Sequence, residues 1–173
     1  TIWFYDDIAK IDFDTKIDWH QQHQMVKAAF NVDVLSDKAT YEVQFGSVER
    51  PTHKNTSWDR AKFEVCAHKY ADLSEGGYGV ALMNDCKYGY DIHDGVMQLS
   101  LLKCGTQPNR NADQGEHTFV YSLYPHAGTV KASDTVALAY MLNNPMTAVK
   151  ATGASSEIPE AFSMASVNKE NIV

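Results

Sequence analysis

Tyr78-Gly79-Val80-Ala81-Leu82 and Met97-Gln98-Leu99-Ser100-Leu101, with Asp91-Ile92-His93-Asp94-Gly95 between them, decide the fold. Tyr78, Val80 and Leu82 form one alternating run, and Met97, Leu99 and Leu101 form another. Period two places each set on one face of a pleated strand. Asp94-Gly95 supplies the positive φ that a tight turn needs, so Tyr78 to Leu102 reads as a β-hairpin of these two runs.

The same alternation extends outward in both directions. Downstream, Phe119, Tyr121 and Leu123 oppose Val120, Ser122 and Tyr124; both faces are rather apolar, which predicts a central strand. Upstream, Ile11 and Phe13 alternate with Asp12 and Asp14, and Ile17 and Trp19 with Lys16 and Asp18. Tyr41, Val43 and Phe45 alternate with Glu42 and Gln44, and Phe63, Val65 and Ala67 with Glu64, Cys66 and His68. One buried and one wetter face per strand belongs to antiparallel rather than all-parallel sheets. Only one stretch reads as helix: Ser133 or Asp134 caps Thr135 to Leu142, and Asn143-Asn144-Pro145 ends it. From about 151 the residues are mostly small and polar. Ala161, Phe162 and Met164 form the one apolar cluster there, with Phe162 and Met164 spaced for a last short strand. The expectation is an all-β, antiparallel β-sandwich with one short helix near 134–142; a closed barrel has the same patterning.

At 173 residues the chain has one domain's length. A folded chain of that size buries roughly 70% of its unfolded surface, enough for a core without staples. Fifteen Lys and Arg against 22 Asp and Glu leave −7, a poor match to nucleic acid or an anionic membrane. No apolar run approaches the ~20 residues of a membrane helix, and no secretory leader is visible. The chain starts at Thr1, and Ile2-Trp3-Phe4-Tyr5 is already strand-like, which suggests a piece of a longer protein. Cys66, Cys86 and Cys104 are odd in number and widely spaced, so they form neither a disulfide framework nor a four-thiolate zinc site. A reduced compartment fits them, with Cys66 a small, partly buried strand residue.

Two long polar connections stand out, Glu49 to Arg60 and Cys104 to Glu116; loops of such length are often functional. In the second, Asp113, Glu116 and His117 crowd two carboxylates and an imidazole into five residues, a set suited to acid/base work across a glycosidic bond. A solvated turn has the same composition. Asn84-Asp85-Cys86-Lys87-Tyr88-Gly89-Tyr90-Asp91 mixes hydrogen-bonding groups with aromatic faces, which suits sugars; a turn with Gly89 at its bend reads equally well. Cys86 has no identifiable base beside it. The seven histidines carry no H-E-x-x-H motif, and His20 and His23 share a face only on a helix.

Taken together and in order, Tyr41-Glu42-Val43-Gln44-Phe45-Gly46, Glu49-Arg50-Pro51-Thr52-His53, Asn55-Thr56-Ser57-Trp58-Asp59, Asn84-Asp85-Cys86-Lys87-Tyr88-Gly89-Tyr90 and Asp113-Gln114-Gly115-Glu116-His117, followed by Tyr121-Ser122-Leu123-Tyr124-Pro125-His126, resemble the C-terminal β-rich region of glycoside hydrolase family 38. The bacterial and cytosolic α-mannosidases are the branch they resemble most. That resemblance implies a supersandwich like that of galactose mutarotase, with residues 1–173 a single β-sandwich domain of a larger, retaining, zinc-dependent α-mannosidase. The family's nucleophile and zinc ligands sit mainly on an N-terminal barrel and the helical region after it, and no motif here matches them. The implied zinc is therefore bound outside this chain, with none in the fragment, and no catalytic residue carries over.

The implied partners are α-mannoside oligosaccharides, met through the parent enzyme, and the missing catalytic domain. Neither nucleic acid nor membrane is implied; an apolar face left open would favour self-association, and the cytoplasm is the implied compartment. The candidate substrate contacts are Asp113, Gln114, His117, Lys87 and Tyr88. The loop Asn109 to His117 departs from the family pattern, which has an arginine where this chain has only Arg110 upstream. Two other readings remain open on the residues: a stand-alone carbohydrate-binding module, and a small hydrolase using Asp113 and Glu116.

Overall fold

Alternating residues build eleven strands in a computed structural model of the chain, which describes residues 1–150 and 162–169. In order these are β1 (Ile2–Phe4), β2 (Ile11–Trp19), β3 (Met25–Asn31), β4 (Lys38–Val43), β5 (Gly46–Pro51), a short helix α1 (Ser57–Ala61), β6 (Val65–Cys66), β7 (Tyr70–Ser74), β8 (Tyr78–Asn84), β9 (Gly89–His93), β10 (Val96–Lys103) and β11 (Gly115–Ala127). A 3₁₀ turn (Val130–Ala132) and helix α2 (Thr135–Asn143) follow. Seven strands form one sheet in the order β1-β2-β11-β8-β7-β4-β5, and four form a second in the order β3-β10-β9-β6. Every pairing is antiparallel.

The sheets pack face to face, as the alternation requires. Tyr41, Leu73, Val80, Leu82 and Phe119 from the larger sheet meet Tyr90, Ile92, Met97 and Leu99 from the smaller one in one buried cluster. Burying each such side chain contributes about 1.5–3 kcal/mol. The other face of the larger sheet is also covered. Ala81, Met83 and Tyr124 pack there against Val130, Leu138 and Ala139. β11, flanked by β2 and β8, is central as its two apolar faces predict.

Four local expectations change. Asp94 and Gly95 take left-handed φ values of 50° and 72°, but the strand they join to β10 is β9, with His93 opposite Val96. A two-residue turn ties together only its immediate flanks. Tyr78–Leu82 lies beyond those flanks and crosses into the other sheet, between β11 and β7. Of the run Phe63 to His68 only Val65 and Cys66 pair, Phe63 is exposed, and Cys66 is exposed rather than partly buried.

The third change is α1, which sequence periodicity missed. Thr56 accepts from the Asp59 amide at 3.1 Å, and the Asp59 carboxylate accepts from the Thr56 amide at 3.0 Å, a reciprocal cap visible in Thr56-x-x-Asp59. Fourth, Phe162 and Met164 form no strand and are exposed; two alternating apolar residues with no strand edge beside them gain nothing from extension. Ala161 lies outside the described residues. Helix α2 begins one residue after Asp134 as expected, although Ser133 Oγ, not the aspartate, takes up the Thr135 amide at 3.3 Å. Among the described residues no helix is long and apolar enough to cross a membrane.

Candidate functional site

The outer face of the smaller sheet carries a groove of about 870 Å³. Its floor runs along one row of the sheet: Lys27 on β3 faces Ser100 on β10, which faces Gly89 on β9, which faces Cys66 on β6. Glu64, just before β6, reaches back over this row to Lys27, with Nζ and Oε2 3.2 Å apart. Gly89 makes that crossing feasible, because a Cβ there would overlap the Glu64 carboxylate and press on Ser100. Phe63 and Tyr88 flank the groove with 65% and 54% of their surfaces exposed. The Tyr88 ring is held edge-on to His68, with centroids 5.3 Å apart. His23, in a left-handed conformation, closes the far end by donating its amide to the Cys104 carbonyl at 2.7 Å.

Of the candidate substrate contacts, Tyr88 lines this groove directly. Asp113 stands at its Lys103 end, where the carboxylate accepts from the Lys103 amide at 2.7 Å. Gln114 donates to the Gln21 carbonyl at 2.6 Å, and His117 Nε2 lies 3.1 Å from the Asp113 carbonyl oxygen. Gln114 thus ties the long loop to the chain at residue 21, Asp113 ties it to β10, and His117 braces it from within. Lys87 points elsewhere: its ammonium sits 4.3 Å from the centroid of the buried Phe119 ring. Glu116 pairs with Lys16 at 3.1 Å on an open surface, so it and Asp113 serve different partners.

The Asn84–Asp91 stretch is mostly architecture. Asn84 is buried and bonds the His68 carbonyl, the Tyr90 hydroxyl and the Lys87 amide. Asp85 accepts from the Val120 amide at 3.0 Å. The exposed Cys86 thiol is pushed up to about 11, first by partial desolvation and then by the Asp85 carboxylate, which makes it a poor nucleophile near neutral pH.

A second polar cluster, which sequence reading missed, lies on the covered face of the larger sheet. Asp72 and His126 are 2.7 Å apart with side chains 1% exposed, and Ser74 donates to the same carboxylate. Burial pushes the Asp72 carboxyl up, against the pull of Ser74 and His126. The serine donates to the aspartate instead of to the imidazole, so no nucleophile–base pair exists. Beside it, Asp12 accepts from Ser122 at 2.6 Å, Tyr5 at 2.6 Å and Lys10 at 3.0 Å. The Asp12 carboxyl is raised by burial and lowered more by these three donors and the Lys10 charge, so it ends below the usual carboxylate range. Serine, threonine and aspartate in strand positions carry no periodic signature, which is why these pairs were not legible.

Among the described residues no three His, Cys, Asp or Glu side chains converge as metal ligands. His20 meets Asp18, His53 meets Asp59 and His93 meets Asp91, each as a pair only. These residues do not fit the zinc that the family resemblance implies.

Comparison with known proteins places this architecture. The family described as "Glycosyl hydrolases family 38 C-terminal domain" matches residues 1–111. Alpha-mannosidase 2C1 of Homo sapiens is 46% identical over 157 residues, 90% of this chain and 15% of that protein. Alpha-mannosidase of Saccharomyces cerevisiae is 48% identical over 79% of this chain and 13% of its own length. A glycosyl hydrolase family 38 protein from Enterococcus faecalis superposes with a TM-score of 0.77 at 17% identity, covering 91% of this chain and 19% of that one, which speaks to the fold. The chain thus spans about one seventh of the curated relatives it matches. On the profile match and these identities, the chain belongs to the C-terminal domain family of the family 38 glycosyl hydrolases.

Proposed function

We propose that residues 1–173 are a single β-sandwich domain of a larger α-mannosidase, which hydrolyses terminal α-mannosides with catalytic residues that lie outside this chain. One observation carries this reading: at 46% identity the chain matches 90% of its own length but only 15% of a relative named as an alpha-mannosidase. The polar groups agree with it. Asp113 and Glu116, the two carboxylates of the acidic loop, are bound to a backbone amide and to a surface lysine. In this reading the reaction is retaining, the zinc is held outside this chain, and the enzyme works in the cytoplasm. The chain's own contribution is a scaffold that packs against the catalytic domain and presents loops to the glycan, with Asp113, Gln114, His117, Lys87 and Tyr88 as the candidate contacts.

The purified chain, assayed with an aryl α-mannoside with and without added zinc, is expected to release no phenol. Release that survives a chelator and is lost on replacing Asp113 or Glu116 would overturn the proposal in favour of a self-contained hydrolase.

A further inference from the structure

We infer that the groove on the outer face of the four-stranded sheet is a saccharide-binding site that takes a short neutral hexose oligomer between Phe63 and Tyr88. Its volume of about 870 Å³ lies within the roughly 300–1,000 Å³ of small-ligand sites. Its chemistry fits a pyranose in two respects. Phe63 and Tyr88 hold their rings largely in solvent, where apolar surface costs free energy unless something covers it. A pyranose ring presents flat C–H faces that suit such rings. Its edges carry hydroxyls, which both donate and accept, and the floor supplies both kinds of partner.

Lys27 offers an ammonium donor and Glu64 a carboxylate acceptor, joined at 3.2 Å and each only about one fifth exposed, at 22% and 21%. Beneath them Ser100 Oγ is buried with no partner among the described residues. The Lys27 and Glu64 charges cancel, and the Asp113 carboxylate on the Lys103 backbone offsets the Lys103 ammonium, a balance that selects a neutral ligand over a phosphate or a carboxylate. An ion pair in the floor also argues against a protein partner, since charged residues are depleted at interface cores. Gly89 keeps the Glu64 carboxylate over the sheet, because any side chain there would displace it. Asp113 fixes the backbone of Lys103 at the groove's end. That gives the loop of residues 104–114 a positioning role toward the sugar.

The choice of mannose as first probe rests on the mannosidase reading; the groove itself does not. Isotope-labelled chain is titrated with α-linked mannobiose, and in parallel with maltose and cellobiose, while backbone amide shifts are followed. Saturable shifts at Phe63, Glu64, Tyr88, Gly89 and Lys103 are expected. Phe63→Ala and Tyr88→Ala should each weaken binding roughly five- to tenfold, about what one aromatic contact is worth. Both side chains are exposed, so melting temperature should hold; Tyr88→Phe should retain affinity and Glu64→Gln should lower it. Saturation at the groove by maltose or cellobiose alone supports the site while counting against the mannoside reading. Shifts with no sugar at tens of millimolar, or shifts confined to other residues, overturn the site and leave the mannosidase reading to the hydrolysis assay.

Discussion

Asp12 illustrates how a single polar residue comes to lie under a covered sheet face. It points away from the sandwich interior, which Phe13 enters beside Phe30 and Tyr121, toward the helix-covered side. There it is buried, and Ser122, Tyr5 and Lys10 supply its hydrogen bonds. A carboxylate with three donors is held below its unfolded pKa of ~3.9. Its contribution to stability is thus present above that value and disappears as pH falls through the depressed folded value. Ser122→Ala removes the donor while Asp12 stays buried, and should cost about 1–3 kcal/mol at pH 7. Urea unfolding of both proteins from pH 7 to pH 2 should show that gap narrowing below about pH 4. A gap that stays constant over the whole range would exclude the ionised Asp12 as its source.

At the level of elements, β8 organises the larger sheet by means of one missing side chain. Gly79 faces Ser74 on β7 and His126 on β11. A Cβ at Gly79 would overlap both Ser74 Oγ and His126 Cε1. The empty position lets His126 reach over β8 to Asp72, linking two strands that are not neighbours. Gly79→Ala should destabilise by about 1–3 kcal/mol through overpacking. It should rise toward the roughly 3–5 kcal/mol of a broken buried pair if the Asp72–His126 contact is lost. Chemical denaturation gives the size of the loss, and His126 ring resonances report whether the contact survives. A neutral substitution would mean that the strand shifts freely here.

Across the whole molecule, the edges of the larger sheet are treated differently. At one end β5 carries Glu49 and Arg50 and finishes on Pro51, charges and a proline that blunt pairing. At the other end β1 exposes Ile2, Trp3 and Phe4, the last at 73%. An apolar edge strand with free backbone groups is a template for another strand. The isolated chain should therefore self-associate as its concentration rises, with the sedimentation coefficient climbing in step. Phe4→Lys should flatten that rise. A wild-type chain that sediments identically at all concentrations would show that this edge is inert.

Period-two runs such as Tyr41–Val43 and Phe119–Tyr124 carried the fold class in the sequence alone, because a pleat sorts alternate residues to opposite faces whatever strand lies beside it; Phe45, expected on the same face as Tyr41, instead leaves the strand for the β4–β5 turn, exposed and at a φ of 63°. Asp94-Gly95 likewise set its own turn, and the order of the motifs set the family. Tertiary structure decided who neighbours whom. β9, not β8, is the partner of β10; Glu42 is buried rather than wet because Lys69 and α2 cover its face; Asp12 finds Ser122 at a separation of 110 residues. The groove belongs to the same class, since Glu64 reaches Lys27 only once β6, β9, β10 and β3 lie side by side. Local periodicity is a property of a few consecutive residues, whereas strand neighbours and side-chain pairs depend on the lowest free energy of the whole packed chain.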